Sequence, residues 1–222
     1  ARLKAAGLYG VFVSLDNPDP DLHDENRRRP GLFEKAARGL ELCRKAGILT
    51  GISTYATREK MQSGEMDKLM AEMGELQEMM EVARDLGVLE VFLFDVIPTG
   101  RLSDQRECLL TDGEAAEIVG FRQRYMEKTD YPRIVHQTMF ASIAYPCVAE
   151  GCPAAMVQVH LRANGDVSPC DFTPYSFGNI RSQSLSKIWE TMAGNPLYAE
   201  PSARCRLSRP DFWVKLDEIA AR

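Results

Sequence analysis

The stretch GVFVSLDNPDPDLHDENRRRPGLFEKAARGLELCRKAGILTGISTYA, residues 10–56, contains two apolar runs separated by an amphipathic segment. The two runs are rich in β-branched and aromatic residues with little alternation, as in strands that are covered on both faces. In the segment between them, one helical stripe consists of Phe33, Ala36, Ala37, Leu40 and Cys43. Gly47 then supplies a stop for that helix. The pattern predicts a strand, a helix and a second strand.

The same alternation continues to about residue 140. We predict helices over 64–87 and 111–128, a third strand within 88–101, and a fourth within 131–141. Thr111 or Asp112 is the expected N-cap of the second of these helices, with Glu114 in its first turn. The predicted strands start near residues 11, 48 and 88, a spacing typical of βα units and therefore of a parallel sheet. Periodicity alone leaves open a (β/α) barrel and an open doubly wound sheet.

The helix predicted over 64–87 has an apolar stripe that is rich in methionine. Its members step by four and three residues: Leu69, Met73, Leu76, Met80 and Ala83. A promiscuous binding surface is one interpretation of such a stripe. Packing in a core is favoured, because methionine fills irregular cores readily.

After residue 140 the strand-like pieces become short, and proline and glycine become frequent. Alternation around Asn164-Gly165-Asp166 predicts a β-hairpin, and Ser184 is the expected cap of a short helix. We therefore predict an α/β domain over residues 1–140 and a small α+β domain over residues 141–222. The chain begins without Met, in a segment that resembles the last turn of a helix ending at Gly7, and we expect an upstream part of the protein.

Composition narrows the class of protein. The 222 residues are 45% hydrophobic and carry a net charge of −5, with a pI near 5.4, which argues against non-specific binding of nucleic acid. No apolar run has the length of a membrane span, and no signal peptide is recognisable. The six cysteines are too sparse for a secreted disulfide scaffold. We expect a cytoplasmic protein without nucleic-acid or membrane partners.

Four cysteines follow residue 145, in the spacing Cys147-x4-Cys152-x12-Gly165-x4-Cys170-x34-Cys205. Thiolates bind iron–sulfur clusters and soft metals, and four of them complete either a cubane cluster or a tetrahedral zinc site. Zinc ribbons normally contain two Cys-x2-Cys knuckles, which this sequence lacks. Four unrelated buried thiols are the simplest alternative. The clustering around a hairpin favours metal binding, whereas Cys43 and Cys108 are expected to be structural or incidental.

Residues 152–189, CPAAMVQVHLRANGDVSPCDFTPYSFGNIRSQSLSKIW, resemble the C-terminal SPASM or twitch domain of radical S-adenosylmethionine (radical SAM) enzymes. The shared pattern consists of Cys152, Gly165, Cys170, the triplet at 178–180 and the helix at 184–189. The resemblance implies one auxiliary 4Fe-4S cluster, with Cys147, Cys152, Cys170 and Cys205 as its ligands. The family often has Cys-x-Ala-Gly where this chain has Cys-Pro-Ala-Ala. The later cysteines for a second auxiliary cluster are missing.

The first half of the chain is similar to the mid-barrel segment of the same family, usually written VSLDGP…HD..R…G.F. This resemblance implies a partial (β/α) TIM-like barrel in which Ser14, Asp16 and Arg27 help to bind S-adenosylmethionine. Strand-end hydrogen bonding is the alternative for Ser14 and Asp16, and a solvated charge run is the alternative for Arg27. We interpret His23, His136 and His160 as structural.

Together these resemblances imply the C-terminal portion of a radical SAM/SPASM enzyme. The Cys-x3-Cys-x2-Cys loop that binds the radical-generating cluster does not occur in the sequence, and we expect it upstream. The full-length protein would cleave S-adenosylmethionine and generate a substrate radical, in the maturation of a peptide, a protein or a cofactor. An electron donor such as a flavodoxin or ferredoxin is then implied. The alternatives are a non-catalytic iron–sulfur protein, for binding or electron transfer, and a zinc-stabilised domain.

Overall fold

The computed structural model describes residues 2–56, 74–136, 152–202 and 205–220. They divide into two compact units, Ala1–Val96 with Leu110–Gln137, and Ile97–Leu109 with Thr138–Arg222. The predicted boundary at residues 140 and 141 lies outside the described residues and stays a prediction. Among the described residues, no helix is both long and apolar enough to cross a bilayer.

The first unit is built on a four-stranded parallel sheet. Its elements in chain order are α1 (Arg2–Ala5), β1 (Gly10–Ser14), α2 (Pro20–Arg27), α3 (Leu32–Lys45), β2 (Leu49–Ala56), α4 (Gly74–Asp85), β3 (Glu90–Asp95), α5 (Asp112–Met126) and β4 (Arg133–His136). The strands lie in the order β1-β2-β3-β4, and each neighbouring pair is parallel. The α/β class with a parallel sheet is confirmed. The sequential order lacks the reversal of a doubly wound sheet.

One face of this sheet forms the core of the first unit. Val91 and Leu93 of β3 line a small cavity with Leu76 and Met80 of α4 and Phe121 of α5, which places both helices on the same face. The predicted stripe is buried as expected at Leu76, Met80 and Ala83, while Leu69 and Met73 lie outside the described residues. Phe12 is on the other face and is 45% exposed. Burial of apolar side chains between sheet and helices therefore organises one side of the sheet.

In the first unit, the predicted start of α5 is confirmed, and one helix was not predicted. Thr111 caps α5 and forms a capping box with Glu114. Helix α2 was not predicted, because its segment is strongly charged and buries only His23. Its start has a physical basis, since the Asp19 carboxylate accepts two backbone N–H groups and Pro20 occupies the first turn.

The second unit contains a small antiparallel sheet and two helices. Its elements are β5 (His160–Leu161), β6 (Asp166–Ser168), β7 (Gly178–Asn179), α6 (Leu185–Ala193) and α7 (Pro210–Ala220), with short 3₁₀ turns at Gly100–Leu102, Arg106–Cys108 and Arg206–Ser208. The sheet order is β5-β6-β7, so the predicted hairpin is confirmed. Ser184 caps α6 as predicted. Helix α7 was not predicted, although Phe212, Trp213 and Leu216 form its buried stripe.

The core of the second unit includes residues from the segment 97–109, which precedes the rest of this unit in the sequence. Ile97 and Leu109 pack in one apolar cluster with Trp213 and Leu216. Arg106 adds an ion pair from its Nη2 to Asp217 Oδ2 at 2.5 Å and stacks over the Trp213 ring at 5.1 Å. These contacts attach residues 97–109 to helix α7.

Candidate metal centre

Cys152, Cys170 and Cys205 all lie in the second unit, although 35 positions separate the last two along the chain. Cys152 is buried, and its backbone N–H donates to the carbonyl of Ser202 at 2.7 Å. Cys170 follows β6, and Cys205 immediately precedes the turn Arg206–Ser208. All three thiols contact the apolar core of this unit. The fold therefore brings the three predicted ligands into one region.

The thiols of Cys152 and Cys205 are in direct contact. The Cys205 thiol donates a hydrogen bond to the Cys152 sulfur, which lowers the pKa of Cys152 and raises the pKa of Cys205. Backbone N–H groups of Arg206 and Ala154 also donate to the Cys152 sulfur and lower its pKa further. This part of the site favours the thiolate form that a metal ligand requires.

Cys170 occupies the same electrostatic neighbourhood but has its own partner. Its sulfur lies 3.1 Å from the hydroxyl of Thr173. Burial raises the pKa of the Cys170 thiol, and the nearby Cys152 sulfur raises it further. A thiolate at Cys152 disfavours a second negative charge at Cys170, so thiolates at both positions need a compensating positive charge, which iron or another metal would supply.

The donor set consists of three thiols, a ligand type that iron–sulfur clusters and soft metals share. Within the described ranges, no three His, Cys, Asp or Glu side chains converge tightly enough to hold one metal ion. A cubane cluster takes each thiolate on a different iron, so its ligand sulfurs surround a volume and do not meet at a point. Among the described residues, no disulfide involves Cys43, Cys108, Cys152, Cys170 or Cys205. Cys147 lies outside the described residues.

The segment after Cys152 explains one departure from the family pattern. Ala155 has a φ of 59° and is buried, so an L-residue occupies the left-handed region that glycine normally fills. The resembling family often has glycine at this position. Ala155 therefore adopts a backbone conformation that a glycine would adopt without strain.

The residues predicted to face a cofactor lie in the first unit. Ser14 ends β1 and is exposed. Asp16 is 7% exposed and accepts a bidentate pair of hydrogen bonds from Arg27, Nε to Oδ2 at 2.5 Å and Nη2 to Oδ1 at 2.6 Å. The hydrogen bond that Arg27 donates to Asp16 raises the pKa of Arg27. The structure therefore brings Asp16 and Arg27 together as an ion pair just beyond the carboxyl end of β1.

His23 supports the same turn. Its Nδ1 accepts the backbone N–H of Asp16 at 3.1 Å, so the proton of the neutral ring is on Nε2. The ring is almost fully buried and packs edge-on against Phe33. This placement agrees with the structural interpretation of His23.

Sequence reasoning missed two residues beside the thiols, Thr173 and Arg206. Thr173 is three positions after Cys170, a distance at which a turn brings side chains together, but no pattern in the sequence marks it. Arg206 directly follows Cys205, but the sequence gives no sign that it belongs to the site, because arginine is rarely buried. Its 5% exposure is visible only in the fold.

Comparison with known proteins gives a family match in the second unit. Residues 152–206 match the SPASM family, described as an iron–sulfur cluster-binding domain. The chain is 27% identical over 205 residues to an AdoMet-dependent heme synthase of Methanosarcina barkeri, covering 85% of this chain and 55% of that protein. It is 24% identical over 206 residues to an AdoMet-dependent heme synthase of Oleidesulfovibrio alaskensis, covering 85% of this chain and 50% of that protein. The chain thus spans about half the length of these relatives.

A solved structure shares the fold. Streptococcus suis SuiB, bound to the precursor peptide SuiA, superposes with a TM-score of 0.59 at 13% sequence identity. The superposition covers 85% of this chain and 43% of SuiB. At this identity the likeness is one of fold.

Proposed function

We propose that this chain, which carries a SPASM iron–sulfur domain and resembles the C-terminal part of radical SAM enzymes, binds one auxiliary 4Fe-4S cluster. Cys152, Cys170 and Cys205 are the proposed ligands in the described residues. Cys147 is the proposed fourth ligand. When bound, the cluster would supply a site for electron transfer or for substrate binding.

One observation carries the proposal. Cys152, Cys170 and Cys205 come from separate segments of the domain that matches the SPASM family, yet all three pack in one apolar cluster, and Cys152 raises the pKa of both other thiols. Buried thiols placed for packing alone have no need to share one electrostatic neighbourhood. Donor N–H groups at Cys152 further favour a thiolate, the ligand form of cysteine.

In the first unit, we propose that the carboxyl end of β1 faces S-adenosylmethionine in the full-length protein. Ser14 is the exposed hydroxyl at this end of the strand. The ion pair uses two of the three guanidinium nitrogens of Arg27, so Asp16 orients Arg27 toward that end. Strand ends of parallel sheets are where such proteins bind ligands. Sequential strand order supports a partial (β/α) barrel over residues 1–140, followed by the cluster domain over 141–222.

For the full-length protein, we propose radical SAM chemistry on a tetrapyrrole, the class to which haem belongs. The two heme synthases align with 85% of this chain at 24–27% identity, whereas the peptide-bound structure shares 13%. A peptide substrate is the second candidate, favoured by the shared fold with SuiB. A flavodoxin or ferredoxin is the proposed electron donor.

The test is anaerobic reconstitution of the chain with iron and sulfide, in parallel with zinc. We expect broad visible absorption, about four irons per chain, and an electron paramagnetic resonance (EPR) signal after reduction by dithionite. Stoichiometric zinc uptake without iron uptake would replace this proposal with a zinc-stabilised domain. Iron uptake by a full-length protein that does not cleave S-adenosylmethionine would favour a non-catalytic iron–sulfur protein.

A further inference from the structure

A buried arginine lies beside the candidate cluster ligands. Arg206 is 5% exposed and directly follows Cys205 in the turn Arg206–Ser208. Its backbone N–H donates to the Cys152 sulfur, and its positive charge lowers the pKa of the same thiol. Arg206 is therefore in contact with one proposed ligand and covalently joined to another.

The guanidinium of Arg206 lies over the ring of Tyr198, with its Cζ 5.5 Å from the ring centroid, but its hydrogen-bonding groups are only partly satisfied by the protein. Its Nη2 donates to the carbonyl oxygens of Tyr198, at 3.4 Å, and of Glu200. Its Nε is buried without a hydrogen-bond partner among the residues that the structure describes. Carbonyl oxygens carry only partial negative charge, and no ion pair joins Arg206 to any carboxylate in the described part of the chain.

An uncompensated buried charge is costly, and so is a buried N–H without an acceptor. A cubane cluster with four thiolate ligands would supply both a negative charge and a hydrogen-bond acceptor. The negative charge of the thiolates exceeds the positive charge of the iron–sulfide core, and the cluster sulfurs accept hydrogen bonds. Net charge and hydrogen bonds to the sulfurs are two of the properties that set the reduction potential of such a cluster.

We propose that Arg206 tunes the auxiliary cluster, by placing a permanent positive charge beside it and by donating its Nε–H to one of the cluster sulfurs. This inference rests on the proposed function. Positive charge stabilises the reduced cluster, which has one more electron, so Arg206 raises the reduction potential. In this account Arg206 contacts the cluster and contacts neither the substrate nor S-adenosylmethionine.

The competing explanation is purely structural: Arg206 fastens the segment at 198–200 to the turn after Cys205. That role predicts lower stability on substitution, equally with and without the cluster, and no change in potential. The two roles are therefore separable by a measurement on the cluster itself.

The experiment is an EPR-monitored redox titration of the reconstituted chain and three variants. Arg206→Gln removes the charge, Arg206→Lys keeps the charge but loses the Nε donor, and Arg209→Gln is the matched control at an exposed arginine paired with Asp211. At a fixed potential, we expect the ratio of reduced to oxidised cluster to fall about tenfold in Arg206→Gln, equivalent to about 59 mV for one electron. Arg206→Lys should show a smaller decrease, and Arg209→Gln none.

A second measurement covers the case in which Arg206→Gln does not fold. The increase in Tm on loading the cluster should be smaller in Arg206→Met than in the unsubstituted chain, because the apo form no longer carries an uncompensated charge. Unchanged potentials in Arg206→Gln and Arg206→Lys, or an unchanged Tm increase in Arg206→Met, would overturn the inference. Failure of the unsubstituted chain to take up iron would instead refute the proposed function.

Discussion

Gly165→Ala should weaken the second unit selectively. Gly165 is the turn glycine between β5 and β6 and has a φ of +92°, where an alanine side chain is strained. A Cβ atom at this position would lie 2.7 Å from Asn179 Oδ1. The side chain of Asn179 cannot move freely, because its Nδ2 donates to Asp166 Oδ1 at 2.9 Å and its Oδ1 accepts the backbone N–H of Arg181 at 2.9 Å.

The cost follows from these two effects. Backbone strain at positive φ contributes about 1–2 kcal/mol. Displacement of Asn179 weakens hydrogen bonds that each contribute about 1 kcal/mol. We therefore expect the free energy of unfolding of the second unit to fall by about 2–4 kcal/mol. In urea this corresponds to a midpoint lower by about 1–2 M, for an m-value near 2 kcal/mol/M.

Tryptophan fluorescence is the assay, because Trp189 and Trp213 both belong to the second unit and are the only two tryptophans in the sequence. Gly39→Ala is the matched control: Gly39 lies within α3 of the first unit, and a Cβ atom there meets nothing within 4 Å. It should leave the fluorescence transition unchanged and stabilise the first unit by up to about 1 kcal/mol. A Gly165→Ala transition that coincides with that of the unsubstituted chain would refute the reasoning.

Three further predictions concern the first unit and the reaction. Asp16→Asn should destabilise the first unit by about 1–2 kcal/mol, less than the loss of a fully buried ion pair would, because the Arg27 side chain is 40% exposed. A double-mutant cycle with Arg27→Gln should show that the two residues are energetically coupled, and additive effects would contradict this prediction. Thr111→Ala should cost about 1 kcal/mol in thermal unfolding through loss of the α5 cap, whereas Thr111→Ser should cost much less. The 222-residue chain, reconstituted and reduced, should not form 5′-deoxyadenosine from S-adenosylmethionine, because its sequence lacks Cys-x3-Cys-x2-Cys. Formation of 5′-deoxyadenosine above a no-protein control would show that other residues carry out the cleavage.

Elements with a strong apolar period were predictable from the sequence, and elements without one were not. Strands β1 to β3 and helix α3 follow continuous or periodic apolar runs. Thr111 and Ser184 mark the starts of α5 and α6 through local hydrogen bonding. Helix α2 has no apolar stripe, so Asp19 and Pro20 at its start are its only sequence signals. The order of the strands could not be predicted from the apolar periodicity, because barrels and doubly wound sheets repeat the same βα unit.

Of the candidate site, only the cysteines were predictable. Cysteine spacing and the hairpin indicated Cys152, Cys170 and Cys205, because thiolate chemistry depends on residue type. Arg206 and Thr173 depend on which side chains the fold brings to those sulfurs, and neither residue type indicates a metal site. Asp16 and Arg27 were predicted individually, but their bidentate pairing is a property of the turn that follows β1.

The most direct test of the account is the iron and acid-labile sulfide content of the anaerobically reconstituted chain and its cysteine variants. We predict about four irons and four sulfides per chain, with a sharp loss in Cys152→Ala, Cys170→Ala and Cys205→Ala. Cys43→Ala, on α3, and Cys108→Ala, in the turn Arg106–Cys108, should retain the full content. Full iron and sulfide in Cys170→Ala or Cys205→Ala, or none in the unsubstituted chain, would contradict the assignment of this site as the cluster-binding centre.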